Sequence, residues 1–233
     1  MLGIIVSLPR ELKTLTHEKI PVGTTKAISP HVLVALSGMG PDRAYAAGSL
    51  LVSEGSTALL SWGFAAALDD HFTAGSLLLP ERIISATGEN YPVSAQWHRH
   101  LYRLLETRHS VWTDALVESE AIVKTSVEKR ALARRTQAAA TDMESAAHAR
   151  LAREQRLPFV AVRAIIDTAS TDIPDTVLTA LDPHGDISAS KLLANIGLRP
   201  SDWIKMLRLG FQFQAARESL TKIRDLVLAL PEP

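Results

Sequence analysis

No cysteine occurs anywhere in the 233 residues. Disulfides and thiolate chemistry are therefore excluded, and the composition fits a reducing compartment. Neither sign of charge is in excess: 25 Lys and Arg balance 25 Asp and Glu. The basic surplus that draws a protein to nucleic acid is missing, so no nucleic-acid partner is expected. Long apolar runs are missing too. No stretch reaches the roughly 18 consecutive apolar residues of a spanning helix, and the N-terminal MLGIIVSLPREL is too short for a signal peptide. The cytoplasm is the expected location. There is no repeat, low-complexity tract or interdomain linker, so residues 1–233 read as one domain, with a helical extension from about residue 175. Histidines are present, but none has H-E-x-x-H spacing, and His98 and His100 would point apart on a helix. No metal site is expected.

What the chain does have is 46% hydrophobic residues, enough for a sizeable core. Residues 138–169, AAATDMESAAHARLAREQRLPFVAVRAIIDTA, organise the rest. Residues 143–155 favour a helix, Leu157-Pro158 breaks it, and residues 159–166 form an apolar, partly β-branched run of strand length. Acids bracket this unit: Asp142 and Glu144 on one side, Asp167 on the other. Carboxylates at a helix mouth and at the C-terminal end of a parallel strand stand where α/β sheets bind ligands. Read separately, Asp142 and Glu144 suit a helix first turn and Asp167 a cap.

Further strands are expected over 2–8, 31–36 and 57–61, and helices over 12–16, 41–54, 126–135, 175–181, 188–195 and from Ser201 to Leu230. The charged helix 126–135 reads as an ordinary solvated face. Ser37-Gly38-Met39-Gly40 follows the second of these strands; its glycines would let backbone N–H groups approach an anion, with Arg43 in the next helix. In the last helix Trp203, Leu207, Phe211, Ala215 and Ile223 share a stripe, flanked by Lys205 and Arg208. That stripe packs on the sheet or lies on a membrane surface, as an amphipathic basic helix does. Arg163 and Asp167, four apart on one strand, would share a face by alternation. Arg163 would then take part in the site or form an internal ion pair. Strands alternating with helices predict an α/β domain with a mixed sheet.

The string DMESAA followed by PFVAVRAIIDTA resembles the purine nucleoside phosphorylase and nucleosidase superfamily. The resemblance implies a three-layer-like domain: a twisted mixed central sheet with a small barrel-like closure, surrounded by helices and ending in a long C-terminal one. The same resemblance implies strands over 75–80 and 115–124. It also implies roles. Met143 and Glu144 would grip ribose, with Asp142 beside them, and Asp167 would protonate the departing purine. Glu11 falls where nucleosidases polarise the attacking water. Gly63, Phe64 and Ala65 would line the pocket, although Ala66-Ala67 replace the family's glycines and Phe64 a serine. Ile122 stands where an aromatic ring would stack on adenine. For phosphorolysis, Ser37, Gly38, Arg10 and Arg43 would bind phosphate, the one co-substrate implied; no cofactor is.

The chain is most similar to the hopanoid-associated phosphorylases, through Leu8-Pro9-Arg10-Glu11, Asp172-Ile173-Pro174, ALDPHGDI and the Leu/Arg-rich segment from Lys191 to Leu220. That resemblance implies release of adenine from adenosylhopane, with membrane contact at the inner face through the C-terminal helix, and a homo-oligomer is expected. A methylthioadenosine/S-adenosylhomocysteine-type nucleosidase is the alternative. A non-catalytic nucleoside- or lipid-binding protein is the alternative of another class. Water and phosphate both stay open as the nucleophile.

Overall fold

The computed structural model describes residues 1–180 and 203–229. The helix expected over 188–195 and the cap at Ser201 lie outside the described residues. One mixed sheet runs through β2 (Thr24–Ser29), β3 (Val32–Leu36), β1 (Leu2–Val6), β4 (Ala58–Ala67), β10 (Ala140–Asp142), β9 (Leu116–Glu118), β6 (Arg82–Ile84) and β7 (Asn90–Pro92). Along its other edge β4 pairs in parallel with β11 (Phe159–Asp167), which leads through β5 (Leu77–Leu78) to β8 (Val111–Trp112). Helices α1 (Pro9–Leu15), α2 (Pro41–Ser53), α3 (Ala95–Glu106), α4 (Ser126–Thr136), α5 (Ser145–Gln155), α6 (Asp175–Leu178) and α7 (Trp203–Leu228) surround the sheet.

β4 is the axis. It was expected to stop at Ser61, with Trp62–Leu68 as a loop, yet the strand continues to Ala67. Pairing explains this. β1 holds one edge up to Trp62, β10 takes over at Ala66, and β11 covers the other edge throughout. The long β11 edge, with Phe64 N–H taken by a side-chain carboxylate on the other edge, lets a Gly- and Ala-rich segment stay extended. The apolar runs of β1, β3 and β11 are buried on both faces, as central parallel strands require. Each fully buried Ile or Val of β1 contributes roughly 1.5–3 kcal/mol.

Other boundaries move for local reasons. α1 starts at Pro9 instead of Leu12, because Pro suits a first helical position and Glu11 at the third caps the backbone of Leu8. α5 starts at Ser145, two residues late, since Asp142 takes over the capping. β9 ends at Glu118, so the strand expected to run to Lys124 is cut short. β2 is a polar, half-exposed edge strand that apolar patterning passes over. α7 packs on β11 and α1, through Ala216, Leu220, Ile223 and Val227. The stripe of Trp203, Leu207 and Phe211 instead faces outward.

Near its end β11 bulges between Ile165 and Asp167, where its register on β4 shifts. A bulge breaks strand alternation and re-aims the next side chain. Arg163 and Asp167 therefore reach different partners, and the shared face argued from spacing is lost.

Candidate active site

The C-terminal halves of β4 and β11 and the segments after β1 and β10 enclose a cavity of about 380 Å³. Three buried carboxyl groups line it: Glu11, Glu144 and Asp167. A larger groove of about 1340 Å³ lies against α4 but contains none of the three.

Glu11 reaches across from α1. Its Oε2 accepts from the N–H groups of Ser7 (3.1 Å) and Leu8 (2.9 Å), and its Oε1 from that of Phe64 (2.7 Å). Gly63 makes this approach feasible, because a Cβ there would sit 2.2 Å from Glu11 Oε1. Gly63 thus serves the site from beneath and does not line it. Burial pushes the Glu11 carboxyl up, against the Arg163 charge and the three N–H donors.

Glu144 stands just before α5, and its side chain turns back to the start of α2. Its Oε1 accepts from Gly40 N–H at 2.9 Å. Burial, and next the Asp142 charge, push its pKa up to about 8; Glu11 adds to the rise while Gly40 and Arg163 oppose it. Met143 beside it lines the cavity. Asp142 borders the cavity too, but its carboxylate is committed inward. It accepts from Arg163 Nε at 2.9 Å, from the Ser145 hydroxyl, and from Ser145 N–H at 3.2 Å. Arg163 also donates to Ser61 Oγ (2.6 Å) and Ser145 Oγ (2.7 Å). This buried network fixes the segment that carries Glu144. His148, bonded through Nδ1 to Ser61 Oγ at 2.8 Å, completes it; burial holds its imidazole down to about 3, hence neutral.

Asp167 is held differently. Lys129 of α4, fully buried, donates to Asp167 Oδ2, to Thr168 C=O (2.9 Å) and to Thr171 C=O (2.9 Å). Burial pushes the Asp167 carboxyl up while the ammonium pulls it down. Lys129 is the largest departure from the sequence reading, which put all the charge of α4 in water. A signal was available: Leu132 and Ala133, three and four residues on, mark the helix face turned to the protein.

The remaining walls are apolar. Phe64 lies edge-on to Phe213 of α7, with centroids 5.4 Å apart, and Arg10 stacks over Phe213 at 5.4 Å. Ala65 and Ile122 line the cavity, and α7 adds Met206 and Leu209. Sequence reasoning had not brought α7 to the site. Among the described residues no cluster of His, Asp and Glu could hold a metal ion.

The family model described as Phosphorylase superfamily matches residues 2–199. The chain belongs to the phosphorylase superfamily. Solved structures within this fold include the methylthioadenosine/S-adenosylhomocysteine nucleosidase of Neisseria meningitidis in complex with methylthio-immucillin-A. It is 15% identical, with 98% of this chain and 99% of that chain covered and a TM-score of 0.72. The futalosine hydrolase of Helicobacter pylori strain 26695 is 16% identical, covering 97% of each chain at a TM-score of 0.69. A Helicobacter pylori nucleosidase variant with 5′-methylthioadenosine in its active site is 15% identical, covering 97% and 98% at 0.70. At such identities the likeness is one of fold. A search of curated proteins finds no match.

In this superfamily member the set expected to hold phosphate lies mostly away from the cavity. Ser37 Oγ is buried and donates to Gly38 C=O at 2.8 Å. Ser37, Gly38 and Arg43 do not line the cavity, and Arg43 sits on an exposed turn of α2. Gly40 N–H, the donor an anion would need, already serves Glu144. Of the four, Arg10 alone reaches the cavity.

Proposed function

We propose that this superfamily member is a nucleosidase, cleaving the N-glycosidic bond of an adenine nucleoside with a large apolar 5′ group, with water as nucleophile. What carries the reading is one cavity holding two carboxyls supported by N–H donors, a third supported by an ammonium, and an apolar wall from α7. Departure of the base leaves a cationic ribosyl centre. Glu144 accepts hydrogen bonds from the ribose hydroxyls and, once ionised, stabilises that charge. Met143 packs against the sugar. Glu11, its carboxyl pushed up by burial, takes a proton from the attacking water. Asp167 protonates the purine so that it leaves neutral. Phosphate is disfavoured because three of its four expected donors do not line the cavity and two carboxyls already occupy the sugar end.

The substrate follows from the apolar wall and from the resemblance to hopanoid-associated phosphorylases: adenosylhopane. Trp203, Ile204, Leu207 and Phe211 are 54%, 80%, 60% and 76% exposed on the outer face of α7, beside exposed Lys205 and Arg208. No helix among the described residues can cross a membrane. An apolar face with a basic flank suits resting on an anionic bilayer, from which a lipid nucleoside would enter. Adenine release should be measured with and without phosphate over adenosines of increasing 5′-alkyl length. The expected result is phosphate-independent release whose efficiency climbs with chain length, each buried CH₂ contributing roughly 0.8 kcal/mol. Highest activity on methylthioadenosine, lost on longer chains, would leave the small-substrate nucleosidase instead.

A further inference from the structure

We propose that Lys129 is the positioning residue of Asp167: it aims the carboxyl and strengthens it as an acid by stabilising the carboxylate left after proton transfer. The inference rests on the reading of Asp167 as the group that protonates the base.

Lys129 sits on the first turn of α4, whose start is fixed by Thr125 and Glu128 in a reciprocal cap. Its side chain has no exposure, and its three N–H bonds meet three acceptors: Asp167 Oδ2 and the carbonyls of Thr168 and Thr171. An ammonium matched this way is satisfied and stays a cation. It ties together the end of β11 and the turn that follows, just where the bulge has re-aimed Asp167. Asp172 is the second carboxylate in its field and is committed to Ser126 N–H at 2.7 Å. Removing two charges from water costs more than an apolar pair of similar volume would. Stability alone is a poor reason for this lysine.

Chemistry supplies a better one. A general acid must hold a proton before the reaction and release it during the reaction. Burial raises Asp167, which favours holding; the adjacent ammonium lowers it, which favours release. As the C1′–N9 bond breaks, its electron pair goes to the base, and the Asp167 O–H proton passes to a ring nitrogen. The resulting carboxylate stays paired with the Lys129 ammonium, whose own protons are unchanged. Water adds at C1′ and gives a proton to Glu11; after adenine leaves, Glu11 releases that proton to solvent and solvent returns one to Asp167.

The test is the pH dependence of kcat/KM for an adenine nucleoside in wild type and Lys129→Met, with Lys129→Gln as a second variant that keeps a donor. Thermal melting selects variants that fold. Loss of the cation should move the alkaline limb up by one pH unit or more and lower the plateau at least tenfold, since a weaker acid donates later and more slowly. On 4-nitrophenyl β-riboside, whose leaving group departs without protonation, the variants should stay within about threefold of wild type. Profiles that fall in parallel with the limb unmoved, or equal losses on both substrates, would reduce Lys129 to a structural strut. An unchanged variant would remove it from the reaction. If wild type released no base from any nucleoside, or Asp167→Asn remained active, the reading of the site itself would fail.

Discussion

The two ends of the cavity bury carboxyl groups by opposite means. At the sugar end Glu11 and Glu144 are held by backbone dipoles, four N–H groups from Ser7, Leu8, Phe64 and Gly40. The nearby cation, Arg163, is committed to Asp142. At the base end Asp167 meets a whole ammonium. Backbone N–H groups fix a carboxyl in space and offset only part of the rise that burial causes, so it can take up a proton in each cycle, as a base must. An adjacent cation instead biases the group toward its ionised form, which suits an acid that must let go. On the proposed mechanism, similar burial serves two chemistries, and the partners decide which.

The sharpest way to break this contrast is at the base end. Asp167→Asn keeps size and hydrogen bonding but has no proton to give. It should lower kcat by about two orders of magnitude or more, while KM changes by only a few fold. Steady-state kinetics on an adenine nucleoside checks this, and near-normal turnover would take Asp167 out of the chemistry. A second variant acts on the sugar end. Gly63→Ala puts a methyl group 2.2 Å from Glu11 Oε1, so the carboxyl must leave Phe64 N–H. Overpacking of this kind costs about 1–3 kcal/mol of stability, and base release should fall with it. A denaturant titration beside the kinetics checks both. A variant with unchanged stability and rate would mean that Glu11 can move without consequence.

Much of this arrangement was legible in the sequence, but unevenly. β1, β3 and β11 were readable because strands buried on both faces need unbroken apolar runs, and α2 and α4 because their composition and caps are local. Glu144 and Asp167 stood out because they bracket a helix–strand unit. What escaped depends on distant partners. β4 runs past Ser61 only because β10 and β11 arrive to pair with it. Leu132 and Ala133 mark the face of α4 that carries Lys129, but its partners Asp167, Thr168 and Thr171 lie about 40 residues later and only the fold brings them over it. The alternation that aligned Arg163 with Asp167 holds along a regular strand, and a single bulge undoes it. The apolar residues of α7 were legible as a pattern, but not which of them faces the cavity.

The smallest effect at any one step of measurement, and the one that tests dipolar support most directly, lies in how stability varies with pH. Glu144 has an ordinary value of 4.5, which its unfolded form keeps, and the fold pushes it to about 8, mainly through burial and then through Asp142. The folded state therefore binds this proton more tightly. The stability it contributes is fully present below about pH 4.5 and is lost as pH rises toward about 8, at no more than roughly 1.4 kcal/mol per pH unit. Glu144→Gln keeps an oxygen that can accept from Gly40 N–H but has no proton to lose. Glu11 and Asp167, also raised, are common to both proteins, so their contributions cancel in the comparison to first order. The stability of the Gln variant relative to wild type should climb between pH 4.5 and 8 and level off on either side. Melting curves at half-unit steps of pH would show the gap between the two proteins widening over that window. A gap that stays constant would mean that Glu144 ionises freely inside the fold. The sugar end would then hold its carboxylate as firmly by dipoles as the base end does by a charge.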